Sequence, residues 1–238
     1  MVPEYYREPE YVGGYAFMDV LSDQLGSSDL LVAGNGLDTV SYIQVFRVKK
    51  GQRTMTSTNW GAMGWDLPLA IGACVGSGRR TTCVTGDGSI QLNIQELATI
   101  RHYDLPIKVF IYSNQGFASI RATQRSLLDG RFVASNPASG VDNPDFCQLA
   151  QAFGLPFDRI ADSSDIEAGI GRVLSLDGPV LCEVVVSPDE EIQPKASAFR
   201  REDGRLESRP LEDMAPFLPR DEQWQNMHLF DRDPTEIM

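Results

Sequence analysis

Two short turns hold the residues best suited to chemistry. In VTGDGSIQLNIQELATI, Asp87 stands between Gly86 and Gly88 and is followed by Ser89; in FIYSNQGFASI, Asn114 comes two positions before Gly116, with Phe117 and Ala118 next. A carboxylate and an amide both present oxygen, which suits Mg²⁺ or Ca²⁺ rather than zinc. One of each binds Mg²⁺ weakly, so the rest of an octahedral shell falls to water, a backbone carbonyl and phosphate oxygens. The glycines let backbone approach a ligand closely. Helices expected to start near Ser89 and Phe117 would aim free N–H groups at an anion. A magnesium diphosphate would satisfy both turns.

Asp-Gly by itself is a common turn dipeptide, so the argument rests on the pairing. Asp87 and Asn114 are 27 positions apart, about one strand–helix–strand unit. The elements around them fit. Leu30 to Ala33, Thr81 to Thr85, Ile107 to Tyr112 and Val180 to Val186 are short, nearly continuous apolar runs bounded by turn residues, as in strands buried on both faces. GAMGWDLPLAIGACVG, SIQLNIQELATIRHY and DNPDFCQLAQAFG carry helical spacing. This alternation predicts an α/β fold, a parallel sheet with helices on both faces. Ligands of such sheets bind beyond the carboxyl ends of the strands, where both turns sit. The segment from Ala118 to Asn143 mixes helix formers with Gly, Ser, Asn and Pro and reads as a lid or binding loop.

Composition excludes several alternatives. The 238 residues are 42% hydrophobic, enough for one large domain, and 21 basic against 33 acidic residues give a net charge of −12. A polyanionic partner would meet repulsion, so no nucleic acid is expected. Cys74, Cys83, Cys147 and Cys182 form no Cys-x-x-Cys pair. They read as buried thiols in a reducing compartment. No stretch approaches the roughly 18 apolar residues of a membrane span, and MVPEYYREPEYVGG has no signal-peptide core. The expectation is a cytoplasmic protein away from membranes. GNGLDT lacks the third glycine of a dinucleotide fingerprint, and there is no Gly-Lys-Ser/Thr phosphate loop. Three regions follow: an N-terminal arm and helix at 1–28, the α/β domain at 29–187, and a charged, proline-bearing C-terminal tail at 188–238. Within the tail, PLEDMAPFL and WQNMHLF have enough apolar residues to dock.

The stretch GDGSIQLNIQELATI…LPIKVFIYSNQGF resembles the thiamine-diphosphate motif, GDG followed one strand–helix–strand unit later by asparagine, in its acetolactate-synthase-like form. NWGAMGWDLPLAIGA and NPDFCQLAQAFG match the same group in the same order, so the resemblance covers Asp29 to Ser187. It implies thiamine diphosphate and Mg²⁺ as cofactors and the family's C-terminal, diphosphate-binding domain as the fold. Asp87 and Asn114 would be metal ligands, with the main-chain carbonyl of Gly116 as a third. Gly88, Ser89 and the Gly34–Asn35–Gly36 turn would hold the diphosphate, with Gly86, Phe117 and Ala118 completing the cofactor-facing turns. In Gly61-Ala62-Met63, the Gly61 carbonyl would accept a hydrogen bond from the aminopyrimidine, and Met63 would be the apolar wedge that bends the cofactor; these two are the expected catalytic residues.

The family's activating glutamate belongs to a separate pyrimidine-binding domain that nothing here resembles, and Glu96 in QELATI is no substitute. His102 reads as a helix terminator. The expectation is therefore one chain of a split enzyme, whose partner, a pyrimidine-binding-domain subunit, completes a heteromer with two of each chain. The assembled site would decarboxylate a 2-oxo acid, pyruvate foremost, and transfer the two-carbon acyl unit to a carbonyl acceptor. Where acetolactate synthases carry Met-Val and then Gln-Trp, this chain reads GFASIRATQRS, with no tryptophan. Arg121 there either grips an anionic acceptor such as a nucleotide-linked ketosugar or is a solvated lid residue. GNGLDT lacks the family's Gln-His after the glycine turn, and Asp38 would repel a diphosphate, so only backbone contacts are expected there. The tail resembles a subgroup encoded near sugar and polysaccharide biosynthesis, and no flavin is expected from this chain. Two other readings stay open: half of a 2-oxo-acid decarboxylase releasing an aldehyde, and a noncatalytic partner that binds the cofactor structurally.

Overall fold

The computed structural model describes residues 10–228; residues 1–9 and 229–238, among them most of the N-terminal arm and the end of WQNMHLF, lie outside it. The chain forms two compact units, divided after Glu190.

The first unit is a six-stranded parallel sheet. In chain order its strands are β1 (Leu30–Ala33), β2 (Arg53–Thr56), β3 (Thr81–Gly86), β4 (Ile107–Ser113), β5 (Phe157–Ile160) and β6 (Val180–Val185). Their spatial order is β2-β1-β3-β4-β6-β5, with Leu30 opposite Thr81, Thr81 opposite Ile107 and Lys108 opposite Val180. The helices are α1 (Gly14–Gln24), α2 (Leu37–Val45), α3 (Asp66–Ser77), α4 (Asp87–Ile90), α5 (Glu96–His102), α6 (Ala118–Leu127), α7 (Phe146–Phe153) and α8 (Ile166–Ser175). On one face α1 packs against α2 and α8; on the other α3 meets α5 and α5 meets α7.

Strand alternation explains how one sheet serves two layers, since successive side chains point to opposite faces. Val109 and Ile111 of β4 join Leu67, Cys74, Leu97, Ile100 and Phe146 in one core. Phe110 and Tyr112, one step out of phase, meet Phe17 of α1 edge-on at 5.2 and 5.6 Å. Burying each such side chain contributes about 1.5–3 kcal/mol. Lys108 interrupts the apolar run and is nevertheless buried, because its ammonium donates to the carbonyls of Leu176 and Gly178, each at 2.6 Å.

The sequence-based reading needs three changes. The two edge strands, RTMT and FDRI, are exposed or half-buried at most positions and have no apolar run to announce them. SIQLNIQELATIRHY is not one helix: α4 passes through a 3-10 turn at Gln91–Asn93 before α5 begins. The stretch after Phe117 opens with α6, so only its latter part is loop. α7 begins where its spacing predicts, with the Asp145 side chain capping the Gln148 N–H at 2.9 Å, and stops at Gly154, φ 68°.

The second unit, which reads as a tail in sequence, contains β7 (Ala198–Arg200) paired antiparallel with β8 (Leu206–Ser208), followed by α9 (Arg220–Met227). The Arg209 guanidinium lies 5.2 Å from the Phe199 ring and 4.6 Å from the Phe217 ring, and Asp213 accepts from Arg209 and Arg220.

Candidate functional site

Chain direction places the site. From β1 the sheet grows towards β2 on one side and towards β3 on the other, so a crevice opens above the carboxyl ends of β1 and β3. Gly34–Gly36 leaves β1 there, Asp87 leaves β3 and Asn114 leaves β4. A cavity of about 340 Å³ occupies this position. Of the residues singled out in the sequence, Asn35, Gly36, Gly61, Met63, Gly86, Asp87, Gly88, Ser89, Asn114, Gly116, Phe117 and Ala118 line it. Two do not: Gly34 lies beneath the turn, and Ala62 points to solvent.

Asp87 organises the turns. It is 1% exposed. Its Oδ2 accepts from the Asn114 N–H at 2.9 Å, the Gly116 N–H at 3.0 Å and the Asn143 side-chain amide at 2.7 Å. Oδ1 accepts only from the Gly88 N–H, at 2.8 Å. Burial leaves the Asp87 pKa raised, and these four donors offset it only in part. Oδ2 is saturated, so the spare acceptor capacity of the carboxylate lies on Oδ1. Asn114 Oδ1 is buried with no hydrogen-bond donor. A buried amide oxygen without a partner costs free energy, and a cation is one group that satisfies it.

The glycines are needed sterically. A Cβ on Gly88 would stand 2.2 Å from the Phe117 ring, and one on Gly116, φ 114°, would stand 2.8 Å from the Ser135 carbonyl. Gln115 between the ligand positions holds φ 63° without being glycine, a conformation that costs on the order of 1–3 kcal/mol and tends to occur at functional turns. Gly61, φ 56°, turns the chain so that its Cα faces the Asn35 side chain. The Ser89 hydroxyl is already engaged: it accepts from the Gly64 N–H at 2.8 Å and donates to Asp66 at 2.9 Å.

Sequence reasoning missed the residues that hold these groups. Asn143, 56 positions from Asp87, fixes its carboxylate, and the Gln91 amide ties Asn143 to the Asp87 carbonyl at 2.8 and 3.0 Å. The only trace of this was the Asn-Pro at the entrance to α7. Arg121 is a correction to both readings offered for it. It is 3% exposed and donates to four carbonyls, those of Asn114 at 2.7 Å, Gln115 at 3.1 Å, Ser135 at 2.7 Å and Pro188 at 2.8 Å. It clamps backbone, neither gripping an acceptor nor standing in solvent. His102 ends α5, and Glu96 receives the Thr99 hydroxyl at 3.1 Å; neither lines the cavity.

The four cysteines are free thiols, with Cys74, Cys83 and Cys182 buried. No helix among the described residues is long and apolar enough to cross a membrane.

Comparison with known proteins bears on the same segment. The family profile described as "Thiamine pyrophosphate enzyme, C-terminal TPP binding domain" matches residues 34–184. The acetolactate synthase large subunit of Cyanidium caldarium is 40% identical over 152 residues, covering 63% of this chain and 26% of the relative. The acetolactate synthase isozyme 2 large subunit of Escherichia coli (strain K12) is 32% identical over 175 residues, 73% of this chain and 31% of the relative. The chain thus spans between a quarter and a third of the length of these relatives.

Proposed function

Because this chain belongs to the thiamine pyrophosphate enzymes, through the C-terminal cofactor-binding domain of that family, we propose that it is one subunit of a carboligase divided between two chains. Thiamine diphosphate with Mg²⁺ is the cofactor of this domain. The residues present fit it. Asp87 Oδ1 and the orphaned Asn114 Oδ1 are hard oxygen donors suited to Mg²⁺, with the Gly116 carbonyl as a third. This unpartnered buried oxygen, beside a carboxylate with acceptor capacity to spare, is the observation that carries the proposal.

The bound cofactor supplies a nucleophilic thiazolium carbon and the electron sink for decarboxylation. This chain's residues position and exclude. Gly86 to Ser89 and the Asn35–Gly36 turn offer backbone to the diphosphate, the Ser89 hydroxyl being engaged elsewhere. Gly61 and Met63 line the cavity; with the cofactor bound, the Gly61 carbonyl would accept from the aminopyrimidine and Met63 would be the wedge. Phe117 packs over Gly88, where its ring would shield a bound diphosphate from water. A partner with a pyrimidine-binding domain brings the glutamate. What supports a partner surface here is that Trp60, next to Gly61 of the cavity, is 90% exposed.

The donor we propose is pyruvate, and the acceptor a ketone of the ketosugar class. The departure of Ala118–Ser126 from the acetolactate-synthase pattern, with Ser119 and Ile120 at the cavity wall, supports an acceptor different from that family's; with Arg121 committed to backbone carbonyls, the ketosugar class is the acceptor put to the test. Free thiols fit a cytoplasmic enzyme. The test is to co-express the chain with the pyrimidine-domain partner, load it with Mg²⁺ and thiamine diphosphate, and follow CO₂ release from pyruvate with and without ketosugars. Carboligation is expected to give acceptor-dependent product. Free aldehyde would instead identify a decarboxylase, and no CO₂ from any 2-oxo acid would sink both readings.

A further inference from the structure

Asp38 is the buried ionisable group that the proposed function leaves without a task. It is 1% exposed, lies in the second position of α2 and borders the cavity. Neither carboxylate oxygen has a hydrogen-bond partner; the N–H groups of Gly34, Asp38 and Thr39 lie near enough to offset burial only in part. The carboxylate folds back under the glycine turn towards Asp66. A Cβ built on Gly34 would stand 2.5 Å from Asp38 Oδ2 and 2.3 Å from Asp66 Oδ2, so the two oxygens crowd the same glycine, close enough for the Asp66 charge to act on Asp38. Asp66 is well provided: Oδ1 accepts from the Leu67 N–H at 2.8 Å, and Oδ2 accepts from the hydroxyls of Thr85 at 2.7 Å and Ser89 at 2.9 Å. Through Ser89 it reaches the Gly64 N–H.

The other titratable groups around Asp38 bring no positive charge. β3 contributes Cys83 and β4 contributes Tyr112, both kept neutral chiefly by burial, while α1 brings Tyr15 beside Tyr112 and β1 contributes none. Two ionised carboxylates meeting without a cation, next to a site for a diphosphate, are electrostatically untenable; one proton between them resolves it. Burial first, and Asp66 second, push the Asp38 pKa up to about 7.

We propose that Asp38 is a positioning residue working as a neutral acid: it holds a proton against Asp66, leaving one negative charge beneath the Gly34–Gly36 turn where the anionic cofactor must be accepted. The proposal rests on the reading that this cavity takes thiamine diphosphate with Mg²⁺. It reverses the expectation that Asp38 merely repels. Above neutral pH the carboxyl must take up a proton from solvent as the cofactor enters.

The test is calorimetric titration of Mg²⁺ and thiamine diphosphate into the full chain, co-expressed with its partner, in buffers of different ionisation enthalpy between pH 6 and 8.5. The wild type is expected to take up about one proton more at pH 8.5 than Asp38→Asn, and its affinity to fall about tenfold more per pH unit above 7. Asp38→Asn, neutral at every pH, is expected to bind more tightly than the wild type at pH 8.5, and Asp38→Ala, equally uncharged but without a donor to Asp66, to bind less tightly than Asp38→Asn. Equal proton uptake and parallel pH profiles in wild type and Asp38→Asn would overturn the proposal. If neither binds cofactor, the reading of the cavity fails instead, and infrared spectra of the unliganded chain still decide on the proton. A protonated-carboxyl band at pH 6 that Asp38→Asn lacks supports it; identical spectra refute it.

Discussion

Asp87 shows how one side chain can set the chemistry of a turn without moving. Three donors on Oδ2 fix the plane of the carboxylate and leave Oδ1 as the oxygen with room for a metal. Asn143 is the one side chain among those donors, so its amide tunes the ligand from outside the metal shell. Asn143→Ala is expected to lower Mg²⁺ affinity about 10–100-fold with a small change in melting temperature, measured by Mg²⁺ titration of cofactor binding alongside thermal unfolding. Asp38 gives a pH dependence of stability. Its folded pKa, about 7, lies above the ordinary 3.8, so the folded chain holds the proton more tightly than the unfolded chain. That stabilisation is complete below pH 3.8 and is lost as pH rises to about 7. Urea unfolding should therefore find the advantage of Asp38→Asn over wild type growing between those two values and constant above them.

At the scale of elements, Arg121 connects four pieces of backbone: the turn after β4, the loop at Ser135, the segment after β6 and its own helix, α6. Hydrogen bonds to a charged donor contribute about 1.5–3 kcal/mol each and are not additive here, so Arg121→Met is expected to cost at least about 3 kcal/mol. Arg121→Lys should recover only part, lacking the planar fork. An acceptor-gripping arginine would instead raise KM and leave the denaturation midpoint in place. The four inner strands and the two ligand turns were legible because buried parallel strands are written as apolar runs and close turns require glycine. β2 and β5 were not, since an edge strand is half solvated and RTMT or FDRI follows no alternation that marks it. Arg121 was illegible for another reason: its partners are carbonyls, which every residue has. The meeting of Asp38 with Asp66 depends on α2 and α3 flanking β1 and β3, and spacing along the chain does not encode it.

For the whole molecule, a net charge of −12 over 238 residues disfavours bulk attraction to an anion, so the proposed partner is sought first on exposed apolar surface. Trp60 is the largest exposed apolar side chain next to the cavity, and Trp65 and Trp224 are the other two indoles. The emission of Trp60 in the isolated chain should be that of a hydrated indole. Partner binding over the cavity mouth is expected to shift it to shorter wavelength, a shift that Trp60→Phe abolishes; an unchanged spectrum in an active heteromer would place the partner elsewhere.

The gathering of donors on Asp87 also bears on how the site comes apart. The amides of Gly88, Asn114 and Gly116 all end on one carboxylate, so none can open without loosening the others. Local unfolding proceeds in such cooperative blocks. In deuterium exchange, these three amides should report a single opening event with one common free energy, and a metal bound at Asp87 should slow all three by the same factor.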